Sequence, residues 1–367
     1  MEQVKIVQSA LNKLSNYKDS KHLLVGFDGF VDEIIHVVDK RKNHEEYERI
    51  SDIGSYADRI AKTAGLSANI ELVPIQIKIG GNGPIMANAV ISQGNKVSYI
   101  GALGESQVNP IFQEFAKACE NVYSLTDPGH TDALEFYDGK IMMGKMNNLV
   151  DVNLDNLLKI LPKPELEKLL GNTDLLAFTN WTMLSNLNTI LEEFSRIIEV
   201  QMKKPLVFID LADPKKRTRE DIQEILNIIS GYKTDTVLSM NMSESSIISE
   251  VLNLREEKLV ERAIKIREKM NIFGIVIHPT NGAAISTSAQ SGWVDGPYTS
   301  QPKLTTGAGD NFNAGFCNAW LAGLEPVESV AVGVCSSGFY VRNERSATRA
   351  DLQTFMKQWV DVDCGDI

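Results

Sequence analysis

Short apolar runs alternate with stretches of helical periodicity along most of the chain. Continuous apolar segments at 23–27, 97–100, 175–178, 206–209, 236–238 and 273–277 read as strands buried on both faces. Between them lie helix-like stretches. Residues 1–20 carry Val4, Ile6, Val7, Leu11 and Leu14 near helical spacing, and 53–65, 109–119, 185–200, 218–229 and 256–270 read alike. Pro84 suits a first helical turn, with 85–91 as the body and Gly94 as the stop. Helices over 309–322, 327–341 and 350–360 complete the chain. This rhythm predicts a mostly parallel sheet with helices on both faces, and a ligand at the carboxyl ends of its strands.

Three segments break the rhythm. Residues 73–79 alternate apolar and polar, the signature of a half-exposed strand. An extended stretch covers 34–38, and the polar run 39–52 reads as a solvent-facing connection. Residues 130–137, Asp138-Gly139 and 140–143 give a hairpin signal. These pieces predict a small sheet apart from the main one, built from roughly 30–40, 70–80 and 130–147.

Composition narrows the choices. The chain has 367 residues, 43% hydrophobic and 23% charged, which is an ordinary globular balance. Length alone allows two or three units or one large α/β domain with an appendage, and the rhythm favours one domain over 1–367. With 37 basic and 48 acidic residues the net charge is -11, which argues against non-specific nucleic-acid binding. It leaves anionic small substrates open, since backbone amides bind phosphate without net positive charge. Cys119, Cys317, Cys335 and Cys364 form no close pair, and Cys317 and Cys335 read as buried, reduced packing residues. No membrane-length apolar stretch or signal block is present, so the expectation is a soluble cytoplasmic protein without a membrane partner. The five histidines form no zinc motif. His130 belongs either to the lid or to the surface.

The sharpest chemical feature is the run from Thr305 through Gly307-Ala308-Gly309-Asp310 to Phe316. Two glycines allow a tight turn, and the apolar run after them makes the turn a helix N-terminus. Unpaired amides there suit a phosphate and charge developing during its transfer. Asp310, at the helix entry, is placed to accept a proton, or else simply to cap the helix. The run is neither a Walker A loop nor a dinucleotide fingerprint. Other polar runs follow strand ends: Asp28 to Asp32, Gly80-Gly81-Asn82-Gly83, Asn180-Trp181, Asp210 to Arg217, and Asn241 to Glu244. On residues alone, Asn241 to Glu244 is an ordinary polar helix start, and Lys215-Lys216-Arg217 a solvated charge run.

The segment 306–315 resembles the glycine turn of the PfkB, or ribokinase-like, family of carbohydrate kinases. The order of the other runs supports the resemblance over roughly 22–345. It implies a ribokinase-like three-layer α/β/α sandwich with a mostly parallel central sheet and a small β-lid. It implies phosphorylation of a hydroxyl of a sugar or related polyol, with ATP and Mg2+. Asp310 would be the base, and Gly307, Ala308 and Gly309 the anion hole. Asp32, Asp28, Gly81, Asn82 and Asn180 would meet the acceptor, Asp32 ahead of Asp28. Asn241, Glu244, Thr306, Gly309 and Asn343 would serve the nucleotide, with Asn241 and Glu244 on the metal through water. Leu304 stands where members place an acidic or polar residue near a monovalent-cation site, and Pro84-Ile85-Met86 departs from the usual sugar loop. A lid edge would also permit a homodimer. Two other readings remain. A nucleoside kinase of the same superfamily would use Phe136 or Tyr137 to stack on a base. A ligand-binding or regulatory homologue would have lost turnover.

Overall fold

The computed structural model describes residues 2–365. The main sheet contains nine strands. In chain order they are β1 (His22–Phe27), β5 (Lys96–Gly101), β6 (Asn121–Ser124), β9 (Leu175–Thr179), β10 (Leu206–Asp210), β11 (Thr236–Met240), β12 (Gly274–Ile277), β13 (Gly282–Thr287) and β14 (Ser291–Asp295). The intervening numbers belong to the second sheet: β2 (Phe30–Arg41), β3 (Tyr47–Arg49), β4 (Leu72–Gly80), β7 (Gly129–Glu135) and β8 (Lys140–Lys145). The main sheet runs β14-β13-β12-β11-β10-β9-β1-β5-β6. Its pairings are parallel from β6 to β12 and antiparallel at β13 and β14.

Alternation along each strand feeds two cores. Leu24 and Phe27 of β1 and Leu176 and Phe178 of β9 join the layer that includes the helix Leu187–Val200. Leu23, Val25, Leu175 and Ala177 face the other layer, which includes the helices Ala308–Leu321 and Pro326–Asn343. Both faces are therefore apolar, which is why these strands read as unbroken hydrophobic runs. Cys317 and Cys335 are buried and unpaired, as expected.

The second sheet is the lid. β2 pairs antiparallel with β4 and parallel with β7, and β7 pairs with β8. The 39–52 region differs from a plain connection, because β2 continues to Arg41 and β3 pairs with its far end. The helix Ile53–Ala61 brings Ile53 and Tyr56 against Ile35, Leu134 and Phe136, giving the lid a small core of its own. Ile75 and Ile77 on β4 and Met142 and Met143 on β8 remain about half exposed, at 48–54%.

The helix Glu2–Asn16 packs on the helical layer and begins at the sheet margin. There the Gln3 side chain donates to the Asp295 carbonyl at 3.2 Å and accepts from the Asp295 amide at 3.1 Å, on the edge strand β14.

Candidate active site

The C-terminal ends of β1, β9, β10, β11 and β12 converge beneath the lid, and each carries a polar group. Only two residues, Asp28 and Gly29, separate β1 from β2. Asp28 is fully buried and turned inward. Its carboxylate accepts from the Asn82 amide (2.9 Å), the Gly83 amide (2.8 Å) and Asn180 Nδ2 (2.6 Å). Those two amides begin the helix Asn82–Ser92, so Asp28 caps a helix distant in sequence. Burial pushes its carboxyl up to about 6 against these hydrogen bonds. Both Asp28 oxygens are engaged and none of the residue is exposed, so in this structure Asp28 clamps the helix start and the end of β9.

Asp32 lies on β2, packed over Gly80, where a side chain would collide with its carboxyl group. Burial raises its pKa, opposed by a hydrogen bond from Thr131 and the charges of Lys78 and His130. Gly81 adopts φ +97°, the left-handed region in which glycine carries no Cβ penalty. The turn it makes delivers Asn82, whose Nδ2 donates to Asp310 Oδ1 at 2.9 Å. The sequence reading had placed Asn82 on the acceptor. The structure adds a bond from it to the expected base.

Asn180 sits at the end of β9 with φ +59°. Its Nδ2 holds Asp28, and its buried Oδ1 has no partner among the described residues. Next to it, the Trp181 ring carries the Arg217 guanidinium, 4.4 Å from its centroid. Arg217 is therefore no solvated charge, unlike its exposed neighbours Lys215 and Lys216.

The glycine turn opens the helix Ala308–Leu321, with Gly307 as its N-cap at φ +93°. The Ala308 amide donates back to the Thr305 carbonyl at 3.1 Å. Ala308 therefore contributes no free donor, which narrows the expected anion hole. The amides of Gly307, Gly309 and Asp310 take no protein partner among the described residues. Asp310 is buried beside them, and burial drives its pKa well above the usual carboxylate range. Asn82 opposes that rise, while Asp210, Asp28 and Glu244 add to it.

One helical turn further on, Asn313 Nδ2 donates to Asp210 Oδ2 (2.6 Å), and its Oδ1 accepts from Ser239 Oγ (3.0 Å). This ties the helix Ala308–Leu321 to β10 and β11. Asn313 went unremarked in the sequence, although its position three residues after Asp310 put it on the same helix face. His278, at the end of β12, is buried with its ring stacked on Phe312, centroids 4.7 Å apart. Burial lowers its pKa, against the pull of Asp210.

Asn241 and Glu244 form a reciprocal capping box. Asn241 Oδ1 accepts from the Glu244 amide (3.0 Å), and Glu244 accepts from the Asn241 amide (2.7 Å) and Nδ2 (2.6 Å). Glu244 is pushed up to about 8 by burial, then by Asp210 and Asp213. Every charge acting on Glu244 and Asp310 is negative, so this pocket of carboxylates suits a hard, oxygen-seeking cation.

Two expected residues do not join the cluster. Asn343 Nδ2 donates to the Phe339 carbonyl of its own helix at 2.8 Å, which leaves its second N–H and its oxygen for a base. Thr306 contributes through its backbone, whose carbonyl accepts from Tyr340. On the lid face opposite Asp32, His130 lies 3.0 Å from Asp132 and 3.4 Å from Glu33. Lys145 already supplies positive charge there, 2.8 Å from Asp132.

Sheet order, lid and strand-end cluster define the class: a ribokinase-like kinase of the PfkB superfamily, acting with ATP on a small polar molecule. Solved structures share the fold. Arabidopsis thaliana ribokinase, complexed with ribose and ATP, matches with a TM-score of 0.67 at 15% identity, covering 92% of this chain and 99% of its own. A Methanocaldococcus jannaschii nucleoside kinase matches at 0.63 and 15%, covering 93% and 100%. A family model for prokaryotic ketohexokinases matches residues 2–359, and the chain belongs to that family. A ketohexokinase of Haloferax volcanii is 24% identical over 364 residues, 98% of this chain and 96% of the relative. No helix among the described residues is long and apolar enough to cross a membrane.

Proposed function

We propose that this kinase phosphorylates a hydroxyl of a ketohexose, with ATP as donor. The observation that carries the reading is the meeting of Asp310, three unpartnered amides and the Asn82 side chain at one helix entry. Family membership and the Haloferax volcanii relative support the choice of sugar class.

The acceptor lies between Asp32 on the lid and Asp310 on the floor, with Asn82, Gly81 and the free Asn180 Oδ1 beside it. Asp310 takes the hydroxyl proton as the new bond from that oxygen to the γ-phosphorus forms and the bond to ADP breaks. The amides of Gly307, Gly309 and Asp310 face the charge on the transferred group. Its high proton affinity makes ionised Asp310 a stronger base than an exposed aspartate. Asn241 and Glu244 would hold Mg2+ through water, beside Asp210. The ion supplies positive charge to the donor phosphates. Closure of the lid excludes water from the reacting groups.

The nucleoside reading finds less support. Phe136 is buried in the lid core against Tyr56, and the exposed Tyr137 ring carries the Arg49 guanidinium 3.7 Å from its centroid. Phe136 is not free to stack on a base, and one face of the Tyr137 ring is already covered.

The test is a coupled ADP-release screen over ketoses, aldoses, polyols and nucleosides, with wild type and Asp310→Asn. A ketohexose should give the highest kcat/KM, and the variant should be silent. Faster turnover of a nucleoside would overturn the substrate class. Full turnover by the variant would overturn the site.

A further inference from the structure

Tyr340 lies near the end of the helix Pro326–Asn343 and is buried. Its hydroxyl donates to the Thr306 carbonyl at 2.9 Å. That carbonyl shares a peptide plane with the Gly307 amide. In a trans peptide the C=O and N–H point in opposite directions. Fixing the carbonyl therefore fixes where the amide aims. Gly307 N–H is one of the three amides that take no protein partner.

Gly307 is matched to this contact from the other side. A Cβ on it would lie 2.7 Å from Tyr340 Oη and 3.2 Å from Ile85 Cγ2. The hydroxyl thus fills the space a side chain would need, and the backbone at φ +93° rests against it. A hydrogen bond and a close approach, both made by this hydroxyl, converge on one peptide unit.

We propose that Tyr340 is a positioning residue for phosphoryl transfer: by holding the Thr306 carbonyl, its hydroxyl aims the Gly307 amide at the transferred group. The assignment rests on 307–310 being the phosphoryl-binding turn. The donor it orients matters most when charge builds on the phosphoryl oxygens, so its removal acts on the chemical step more than on ground-state binding.

The test is Tyr340→Phe, which keeps the ring and removes only the hydroxyl. kcat should fall about 10-fold, less than the ~100-fold typical of deleting a transition-state donor outright, because the amide remains. KM for the acceptor and the melting temperature should stay at wild-type values. Affinity for ADP with aluminium fluoride, a mimic of the phosphoryl group in flight, should weaken by about the same factor, with ADP alone unchanged. Unchanged kcat and aluminium fluoride affinity would overturn the proposal. So would a kcat loss matched by loss of folded protein, which would make Tyr340 a packing residue. Asp310→Asn, assayed in parallel, separates the failures: if it is silent while Tyr340→Phe is normal, only the Tyr340 role falls. If Asp310→Asn turns over, the site reading falls with it.

Discussion

The floor of the cleft and the lid above it are built on opposite terms. On the floor, Asp28, Asn82, Asn180, Asp210 and Asn313 are each held by at least one short hydrogen bond to another strand end or helix start, and Glu244 is held by Asn241 at the start of its own helix. These polar groups lie between two hydrophobic layers, where an unmade hydrogen bond is costly and geometry is tightly specified. The lid is a single sheet with one small core. Its β4 and β8 carry half-exposed isoleucines and methionines, and most of its ion pairs are solvent-facing. Asp28 and Asp32, four residues apart, mark the boundary. The first is locked into the floor, and the second belongs to the lid. Under the proposed function the contrast would separate two tasks, with the hydrogen-bonded floor fixing the reacting atoms and the lid selecting and covering the acceptor.

The comparison breaks most sharply at Asp310. Asp310→Asn should lower kcat by about 10³-fold or more while acceptor and ATP still bind, as followed by calorimetry. Asp28→Ala should act on folding rather than chemistry. Leaving two amides and an amide side chain unpaired in the interior should remove on the order of 3 kcal/mol, read by denaturant unfolding. Asp32→Ala, by contrast, should raise acceptor KM about 10-fold or more, with ATP KM and the melting temperature little changed. If Asp32→Ala destabilises as much as Asp28→Ala, the boundary between floor and lid is drawn in the wrong place.

Smaller effects follow from pH. Asp28 at about 6 and Glu244 at about 8 hold protons in the folded state that the unfolded chain releases near 4. For carboxyls raised on folding, stability is fullest below the unfolded pKa and declines as pH rises through the folded values. The melting temperature without metal should therefore fall from about pH 4 to about pH 8. Added Mg2+ should recover more of it at the alkaline end, where Glu244 is ionised. A flat profile would mean that burial does not raise these two carboxyl groups. The smallest expected effect concerns the lid surface. Ile77→Lys should leave kcat unchanged and, if lid edges pair in solution, convert a dimer to a monomer by sedimentation.

Legibility in the sequence follows the same division. The glycine turn and the strands of the parallel core were readable because burial on both faces leaves unbroken apolar runs and a helix entry leaves glycines. Strand β6 and the helices Leu154–Ile160 and Lys163–Asn172 passed unnoticed. They are short, and their pattern is set by neighbours far along the chain. Roles within the site were harder to read. A carboxylate that caps a remote helix and one that faces a ligand look alike in sequence, and Asp28 was assigned with Asp32 for that reason. Asn241 and Glu244 cap each other, as a bare sequence reading would have it, yet sit beside Asp210 in a pocket only the fold creates. Tyr340 carried no signal at all, because its partner is a carbonyl 34 residues away.

The Gln3 side chain at the rim of β14 has a consequence for how the molecule behaves in a crowded solution. A carboxamide, like a peptide unit, offers both a donor and an acceptor, and here one of each meets the backbone of Asp295. One residue near the beginning of the chain thus imitates the next strand and occupies a pair of groups through which a foreign strand could otherwise attach. Loss of those first few residues would leave that flank sticky, and aggregation on truncation would follow from an uncapped margin with no injury to the catalytic apparatus.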